Sequence, residues 1–295
     1  MNYPSISIVM TYYERSALLK NTLDSFMLLG YKNDIEVIIV DDGSIIEPLK
    51  VDENKYNFPV KCIILPTKNK NHINSCIPYN QGFKNANGDI VIIQNAECIH
   101  LNNIVAYAKK NCTDDNYLSF SCYSLEEDIT EEIKKNGWEA MQQFLTLEKK
   151  PAKIDGHSGW YNHSIYKPNA YHFCSAILNK NLKILGGFDE KYSHGIGFDD
   201  DELIYRIRKF PLRVEIIDEV SVLHQFHYNK RVYNKQLDDK MHSNWVLYKF
   251  YTKGGQKALR YMYYKLYNAI YSRGYKRIAK ILRQLYPGFS KSLKN

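Results

Sequence analysis

The clearest chemical feature of the sequence is a run of four acidic residues, Asp199, Asp200, Asp201 and Glu202, directly after a glycine-rich segment. Neighbouring carboxylates repel one another, so such a run indicates a bound ligand or a proton transfer. Acids in the first turn of a helix also satisfy free N–H groups and the helix dipole, which accounts for one or two of them. The alternating ligands and closing Glu of an EF-hand are missing. A catalytic or binding role and an ordinary helix start therefore both remain open.

A second set of oxygen-bearing side chains follows two separate apolar runs. Asp41 and Asp42 end one run, and Asn95 and Glu97 follow another. The segment after Asp41 is compatible with a simple turn, because Asp and Gly favour turns. Two independent strands nevertheless deliver such residues, and the carboxyl ends of parallel strands share one edge of a sheet, where ligands bind. We therefore expect a ligand site at this edge.

The elements that position these side chains alternate between strand and helix. The apolar runs that predict strands are residues 5–10, 35–40, 60–65 and 89–93. Helical spacing of apolar residues predicts one helix over 16–30 and a second that ends near 86. Continuous apolar strands between helices indicate a parallel sheet covered on both faces.

The second half of the chain carries an aromatic loop and two further candidate histidines. Residues 101–150 are predicted to be helical, and residues 156–163 form a loop around Trp160. Such a loop can line a sugar or base pocket, although Trp160 can equally fill the core. Residues 213–223 predict a strand that ends at His224, with His227 close behind. The histidines at 157, 163, 172 and 194 are interpreted as structural or acceptor-loop residues.

The composition narrows the class of protein. The chain has 295 residues and a formal net charge of +8, and its six cysteines form no metal-binding pair. No G-x-G-x-x-G loop and no P-loop lysine are present, which argues against a dehydrogenase or a P-loop NTPase. The sequence shows no signal peptide and no spanning apolar run, so we expect a cytoplasmic protein with reduced thiols.

The positive charge is concentrated at one end of the chain. Residues 227–295 contain 16 Lys or Arg and only two Asp or Glu, and they are rich in tyrosine. Helical spacing from about Trp245 onward predicts a basic helical extension over 229–295. It can be a solvated cap packed on the body, a peripheral membrane patch, or, least favoured, a nucleic-acid surface.

The motifs together resemble a known family. In chain order they are Thr11, Glu14 with Arg15, and residues 40–44, 95–97, 186–190, 199–202 and 224. This ordered set resembles the family-2 glycosyltransferases of the GT-A fold, and its second half resembles a galactosyltransferase-type C-terminal region. The resemblance covers roughly residues 4–227.

The resemblance implies a fold, a domain organisation and a function. The implied fold is an α/β GT-A fold with a mostly parallel central sheet and helices on both faces. Residues 1–228 would form the catalytic domain, with a nucleotide-binding half (1–98) and an acceptor half (99–228). The implied activity is metal-dependent transfer of a hexose or N-acetylhexosamine from a UDP-sugar to a glycan or glycosylated acceptor. An inverting reaction is favoured, because one base and an in-line hydroxyl suffice for it.

The resemblance also assigns roles to individual residues. The donor nucleotide would contact Thr11, Glu14, Asp41, Asp42, Asn80 and Asn95. The ligands of Mn²⁺ or Mg²⁺ would be Glu97 and His224, with His227 as the alternative to the latter. The acceptor would contact Trp160, Asp189 and Asp199, and Asp200 would be the catalytic base.

Three positions depart from the family pattern. Asn95 replaces the first Asp of the metal motif, Asp199 replaces a Glu, and Tyr79-Asn80 replaces an Arg-Asn pair. Asn95 gives some support to a catalytically inactive nucleotide- or glycan-binding module. A sugar nucleotidyltransferase is the other alternative, although the segment after the first strand lacks the glycine-rich, basic loop of that class.

Overall fold

The computed structural model describes residues 5–252 apart from 34, 69, 153–157, 211 and 228–234, together with isolated positions beyond 252. Its strands are β1 (Ile6–Tyr12), β2 (Ile35–Asp41), β3 (Val60–Ile64), β4 (Ile90–Asn95), β5 (Cys98–His100), β6 (Asn116–Ser124), β7 (Gly159–Asn162), β8 (Cys174–Leu178) and β9 (Arg213–His224). Its α-helices are α1 (Ser16–Leu28), α2 (Cys76–Asn85), α3 (Ile104–Asn111), α4 (Glu127–Asn136), α5 (Trp138–Met141), α6 (Asn179–Leu185), α7 (Asp199–Lys209) and α8 (Lys235–Thr252).

The strands form one mixed sheet. Their order is β3-β2-β1-β4-β8-β6-β9-β5, and β7 pairs with β6. The first four strands are parallel, as the sequence predicted. In the second half β8 runs antiparallel to both neighbours, whereas β6 and β9 are parallel. The sheet is therefore mostly parallel only in its first half, because the strand–helix alternation that enforces parallel pairing stops after β4.

The strand register places the chemically active side chains at one edge. Thr11 on β1 pairs with Val40 on one side and with Asn95 on the other, so three parallel strands end at the same level. The short β5 pairs antiparallel with the end of β9, and Cys98 lies opposite His224. This pairing brings Glu97, the residue before β5, next to the end of β9.

Residues 101–150 form helices α3, α4 and α5, as predicted, but they also contain a strand that the sequence did not predict. They contain β6, in which every residue is buried. Its serines and asparagine alternate irregularly with aromatic and aliphatic residues, which hides the usual strand pattern. Helix α4 ends before Gly137, which adopts a φ of 82°, and the short α5 follows.

Helices cover both faces of the sheet, as predicted. One hydrophobic cluster includes Leu23 and Phe26 of α1, and a second includes Phe83 of α2 together with Leu203 and Ile207 of α7. Each helix thus buries an apolar stripe against the strands.

Within the extension, the helix whose bounds the structure describes is α8, which contacts α7. Leu247 and Tyr248 pack against the hydrophobic cluster that contains α7. Among the described residues, no helix is both long and apolar enough to cross a membrane. The rest of the extension, which the sequence also predicts to be helical, lies mostly outside the described residues.

Candidate functional site

A cleft of about 610 Å³ opens where β1, β2 and β4 end. Its walls are the ends of these strands, residues of the segment 70–75 before α2, and residues of the segment 195–200 that leads into α7. Glu97 and Asp200 both line this cleft, although they are far apart in sequence. Side chains from the first and the second half of the chain therefore line the same cleft.

Glu97 lies beside two histidines and an arginine. Its Oε1 atom is 2.8 Å from Arg15 Nη1, 3.4 Å from His224 Nε2 and 3.1 Å from His227 Nε2. The ligand atoms of Glu97, His224 and His227 all lie within 4.8 Å of one another. The pairing of β5 with β9 produces this arrangement, and the backbone N–H of Gln225 donates to the Glu97 carbonyl.

The surroundings keep Glu97 ionised. Burial alone raises the pKa of this carboxyl, but the charge of Arg15 and hydrogen bonds from His224 and His227 hold it well below its usual range. Burial lowers the pKa of His224, against the opposing effect of Glu97. His224 is therefore neutral near pH 7, the form in which an imidazole binds a metal ion.

The acidic run divides between the cleft and the protein framework. Asp199 and Asp200 line the cleft. Asp201 accepts a hydrogen bond from the Tyr171 hydroxyl at 3.1 Å. The buried Glu202 accepts two hydrogen bonds from Arg206. Arg206 also donates to the backbone carbonyls of residues 185 and 187. Only the first two acids are thus available for chemistry.

Asp199 and Asp200 have different partners. Asp199 is 7% exposed and accepts a hydrogen bond of 2.8 Å from Asn74 Nδ2. Burial and the neighbouring charge of Asp200 raise the pKa of Asp199 to about 6. Asp200 forms a close ion-pair contact with Nδ1 of His172. Burial opposes protonation of His172, but the charges of Asp200 and Asp199 raise its pKa above the ordinary value.

Asp42 lines the cleft at the end of β2 and already has two basic partners. Its carboxylate oxygens lie 2.8 Å from Lys70 Nζ and 2.6 Å from His72 Nε2. Lys70 also lies over the Tyr13 ring, 4.5 Å from the centroid. Together with Thr11, these groups give this end of the cleft hydrogen-bonding and aromatic character.

Two residues assigned to the donor nucleotide instead shape a loop next to the cleft. The Glu14 carboxylate accepts hydrogen bonds from the backbone N–H groups of residues 45, 46 and 47. The Asp41 carboxylate, fully buried, accepts from the N–H groups of Ser44 and Leu49. Neither is among the residues that line the cleft.

Three further predicted site residues lie outside the cleft lining. Asn80 is buried in α2 and exchanges two hydrogen bonds with the backbone of Phe188. Asp189 caps the short turn Glu190–Tyr192 by accepting from the Lys191 N–H. Trp160 lies in a hydrophobic cluster, 5.2 Å from the Tyr123 ring, so the core-filling alternative describes its position. Their binding roles stay predictions.

Two of the residues that depart from the family pattern, Asn95 and Tyr79, are in contact. Asn95 lines the cleft and accepts a hydrogen bond of 3.0 Å from the buried Tyr79 hydroxyl. The resemblance implies an Arg at position 79 and an Asp at position 95. In this chain both positions carry neutral side chains, which contact each other through this hydrogen bond.

Four basic side chains also line the cleft, and sequence reasoning assigned them no site role beyond a structural or acceptor-loop role for His172. These residues are Arg15, Lys70, His72 and His172. Arg15 was part of a recognised motif, which was the one available signal. The others lie in irregular segments without periodicity, so only the folded chain shows which acid each one meets.

Comparison with known proteins identifies relatives of this fold. The model of the glycosyl transferase family 2 matches residues 7–167, more than half of the chain. A comparison with curated proteins gave no match. The mannosyltransferase PcManGT from Pyrobaculum calidifontis, solved with GDP-Man and Mn²⁺, is similar with a TM-score of 0.52 and 15% identity over 98% of this chain and 76% of that one.

Two other solved structures show the same likeness. S. aureus TarS 1-349 with UDP-GlcNAc has a TM-score of 0.52 and 12% identity over 83% of this chain and 66% of that one. GalNAc-T7 with UDP, GalNAc and Mn²⁺ has a TM-score of 0.52 and 16% identity over 86% of this chain, which spans only 52% of that one. At this identity the likeness concerns the fold, and it confirms the GT-A fold that the sequence predicted.

Proposed function

Because the chain belongs to glycosyl transferase family 2, we propose that it transfers a hexose or N-acetylhexosamine from a UDP-sugar to a glycan or glycosylated acceptor, with a divalent metal ion and inversion of the anomeric centre. The observation that carries this proposal is the shared cleft: Glu97 and Asp200 both line it. One carboxylate is placed to bind a cation and the other to accept a proton. Glycosyl transfer needs both functions in a single volume.

The group around Glu97 fits a divalent cation. Ligands of one octahedral ion at about 2.1 Å stand about 3 Å apart, and Glu97 Oε1 lies 3.4 and 3.1 Å from the two histidine nitrogens. Two imidazole ligands suit Mn²⁺ better than Mg²⁺, which prefers oxygen. We therefore assign Glu97, His224 and His227 as the metal ligands. When bound, the ion would neutralise charge that develops on the diphosphate leaving group.

The residues on the donor side supply positive charge and hydrogen bonds. Arg15 contacts Glu97 and lines the cleft, where it can pair with a diphosphate oxygen. Thr11, Asp42 and Asn95 line the same region and are proposed to contact the nucleotide. Glu14 and Asp41 support this role indirectly, since their carboxylates fix the loop 44–49 beside it.

Asp200 is proposed as the general base. Its carboxylate takes the proton of the acceptor hydroxyl as that oxygen forms a bond to the anomeric carbon, while the bond from this carbon to the diphosphate oxygen breaks. Attack from the side opposite the leaving group inverts the centre. Asn74 and His172 fix the two acids at the start of α7, and Asp199 is proposed to accept a hydrogen bond from the acceptor.

A catalytically inactive module is the second candidate, favoured by Asn95 alone. The hydrogen bond from Tyr79 weakens that case, because it holds the Asn95 side chain in place at the cleft. The Asp200–His172 contact, which orients a proposed base, is not needed by a module that only binds a nucleotide.

The test is release of nucleoside diphosphate from a panel of UDP-sugars and GDP-mannose, with and without Mn²⁺. We expect Mn²⁺-dependent release of UDP from at least one UDP-sugar. Release of GDP alone would replace the donor class, and binding of UDP with no release above background would support the inactive module.

A further inference from the structure

The cleft wall that leads into α7 lies directly against the C-terminal helix α8. Gly195, Ile196 and Gly197 line the cleft. The side-chain amide of Asn244, on α8, donates to the Gly197 carbonyl at 2.8 Å and to the Tyr192 carbonyl at 3.0 Å. Asn244 is only 3% exposed, so its amide serves these two carbonyls instead of water.

The packing at this contact leaves room for glycine alone. A Cβ atom added to Gly195 would lie 2.1 Å from Asn244 Oδ1, far inside van der Waals contact. Asn244 thus contacts this wall in two ways. Its amide nitrogen donates hydrogen bonds to two backbone carbonyls, and its amide oxygen packs against the backbone of Gly195. The contact is specific in both shape and hydrogen bonding.

The wall also adopts a backbone that needs support. Gly197 has a φ of +67° and Phe198 a φ of +64°. The second value is unfavourable for a residue with a Cβ, and such conformations persist where surrounding contacts impose them. On α8, Tyr248 stacks on the Phe198 ring with centroids 5.9 Å apart, and the Lys240 carbonyl accepts from the Ile196 N–H at 3.3 Å.

Phe198 immediately precedes the two acids of the cleft, so the geometry of this wall determines where they point. A shift of about 1 Å in a reacting group can reduce a rate by about a hundredfold. Resting on the proposed function, we propose that Asn244 is a positioning residue that fixes the segment 192–198 and thereby the start of α7. The first helix of the basic extension then belongs to the catalytic unit.

This proposal changes the domain organisation suggested by the sequence. Asn244 falls in the extension predicted over 229–295 and lies beyond the family match of 7–167. A truncation at residue 228 would remove the amide that serves both carbonyls and the ring that stacks on Phe198. The extension therefore supplies part of a wall whose other side faces substrate.

The first experiment compares Asn244→Ala with Ser243→Ala, a matched change one residue away at an exposed position. In Asn244→Ala we expect kcat for UDP release to fall at least about tenfold, because the acids lose their alignment. The Kd for UDP with Mn²⁺ should stay within about twofold, since the hydrogen bonds of Asn244 go to Tyr192 and Gly197 and not to Glu97 or its two histidines. Amide hydrogen exchange over 193–198 should become faster, and Ser243→Ala should match the wild type in every respect.

The second experiment is a double-mutant cycle. Gly195→Ala alone should slow turnover because the new Cβ collides with Asn244, whereas in the Asn244→Ala background it should add little further loss. Additive losses, or unchanged exchange over 193–198, would overturn the proposal. If Asn244→Ala does not fold, Asn244→Leu replaces it, because it keeps a similar volume and removes the amide donor without adding a charge.

The two proposals fail in different ways. If the wild type releases no nucleotide from any sugar donor, the proposed function is lost, but the exchange measurement and a thermal-stability cycle on the same variants still test Asn244. If the wild type is active and Asn244→Ala retains its kcat, the positioning role is wrong and the transferase is not affected.

Discussion

Two clusters of histidine and carboxylate face the same cleft with opposite electrostatic properties. Around Glu97, an arginine and two histidines hold the carboxyl pKa well below its usual range. Around Asp199, burial and a second carboxylate raise the pKa to about 6. The residue types are nearly the same, so the difference comes from what each acid contacts.

This difference separates two kinds of chemistry. A carboxylate that stays charged in a buried position can bind a cation, and acids that retain protons can exchange them with a substrate. The pairing of β5 with β9 positions the cluster around Glu97. The start of α7 and His172, which lies just before β8, position the cluster around Asp199 and Asp200. Changes in each cluster should therefore affect different steps.

The largest effect is expected from Asp200→Asn, which removes the proposed base and keeps its shape. The turnover number for sugar transfer should fall by about 10²–10⁴-fold, the usual contribution of a general base. The affinity for UDP with Mn²⁺, measured by calorimetry, should stay nearly unchanged because Asp200 belongs to the other cluster.

Asp201→Asn is the matched control for this change. Asp201 is the next acid in the sequence, but it contacts the Tyr171 hydroxyl and does not line the cleft. Its turnover should stay within a few-fold of the wild type. Retained turnover in Asp200→Asn, or an equal loss in both variants, would remove Asp200 as the base.

Glu97→Gln should have the next largest effect, in binding instead of proton transfer. The amide loses the negative charge that a cation needs, so the Mn²⁺-dependent part of UDP affinity should fall at least about tenfold. Calorimetry with and without Mn²⁺ measures this part directly, with the exposed Glu53→Gln as control. Unaltered metal dependence would place the cation elsewhere.

The sequence was sufficient to predict the strand ends that carry Asp42, Asn95 and Glu97. Strands β1, β2 and β4 are continuous apolar runs, and local pattern determines both their type and their shared edge. Asp42, Asn95 and Glu97 therefore lie at the cleft because they follow such strands. Their position depends on short-range information.

The cluster around Asp199 and Asp200 depends on contacts between residues that are distant in sequence, and no local sequence pattern predicts such contacts. The pair Asp200 with His172 joins the first turn of α7 to an irregular segment before β8, and the pair Asp42 with His72 joins two irregular segments. In β6, buried polar residues such as Ser119 and Ser121 remove the apolar run that would have predicted the strand. The role of Asp41 was also unpredictable, since the same Asp can face a ligand or cap a turn.

His172→Phe should have a smaller effect and should sharpen the distinction between binding and chemistry. The phenyl ring keeps the packing against Phe188, 4.8 Å away, but loses the ion-pair contact to Asp200. We expect kcat to fall about tenfold with little change in the affinity for UDP and Mn²⁺. His172→Asn, which keeps a donor near the same place, should recover part of the rate; equal loss in both would argue against an orienting contact.

The smallest change in turnover is expected for Asp199→Asn, whose main effect should be on the free energy of unfolding. Since the pKa of Asp199 is raised from 3.8 to about 6, the folded state binds its proton more tightly, and this contribution to stability is present below about pH 4 and lost as pH rises through 6. Asn carries no charge and can still accept from Asn74. The variant should therefore gain up to about 3 kcal/mol relative to the wild type between pH 4 and pH 7, measured by urea unfolding at both values. A difference that does not change with pH would mean that Asp199 is ionised without cost, and the contrast between the two clusters would then no longer hold.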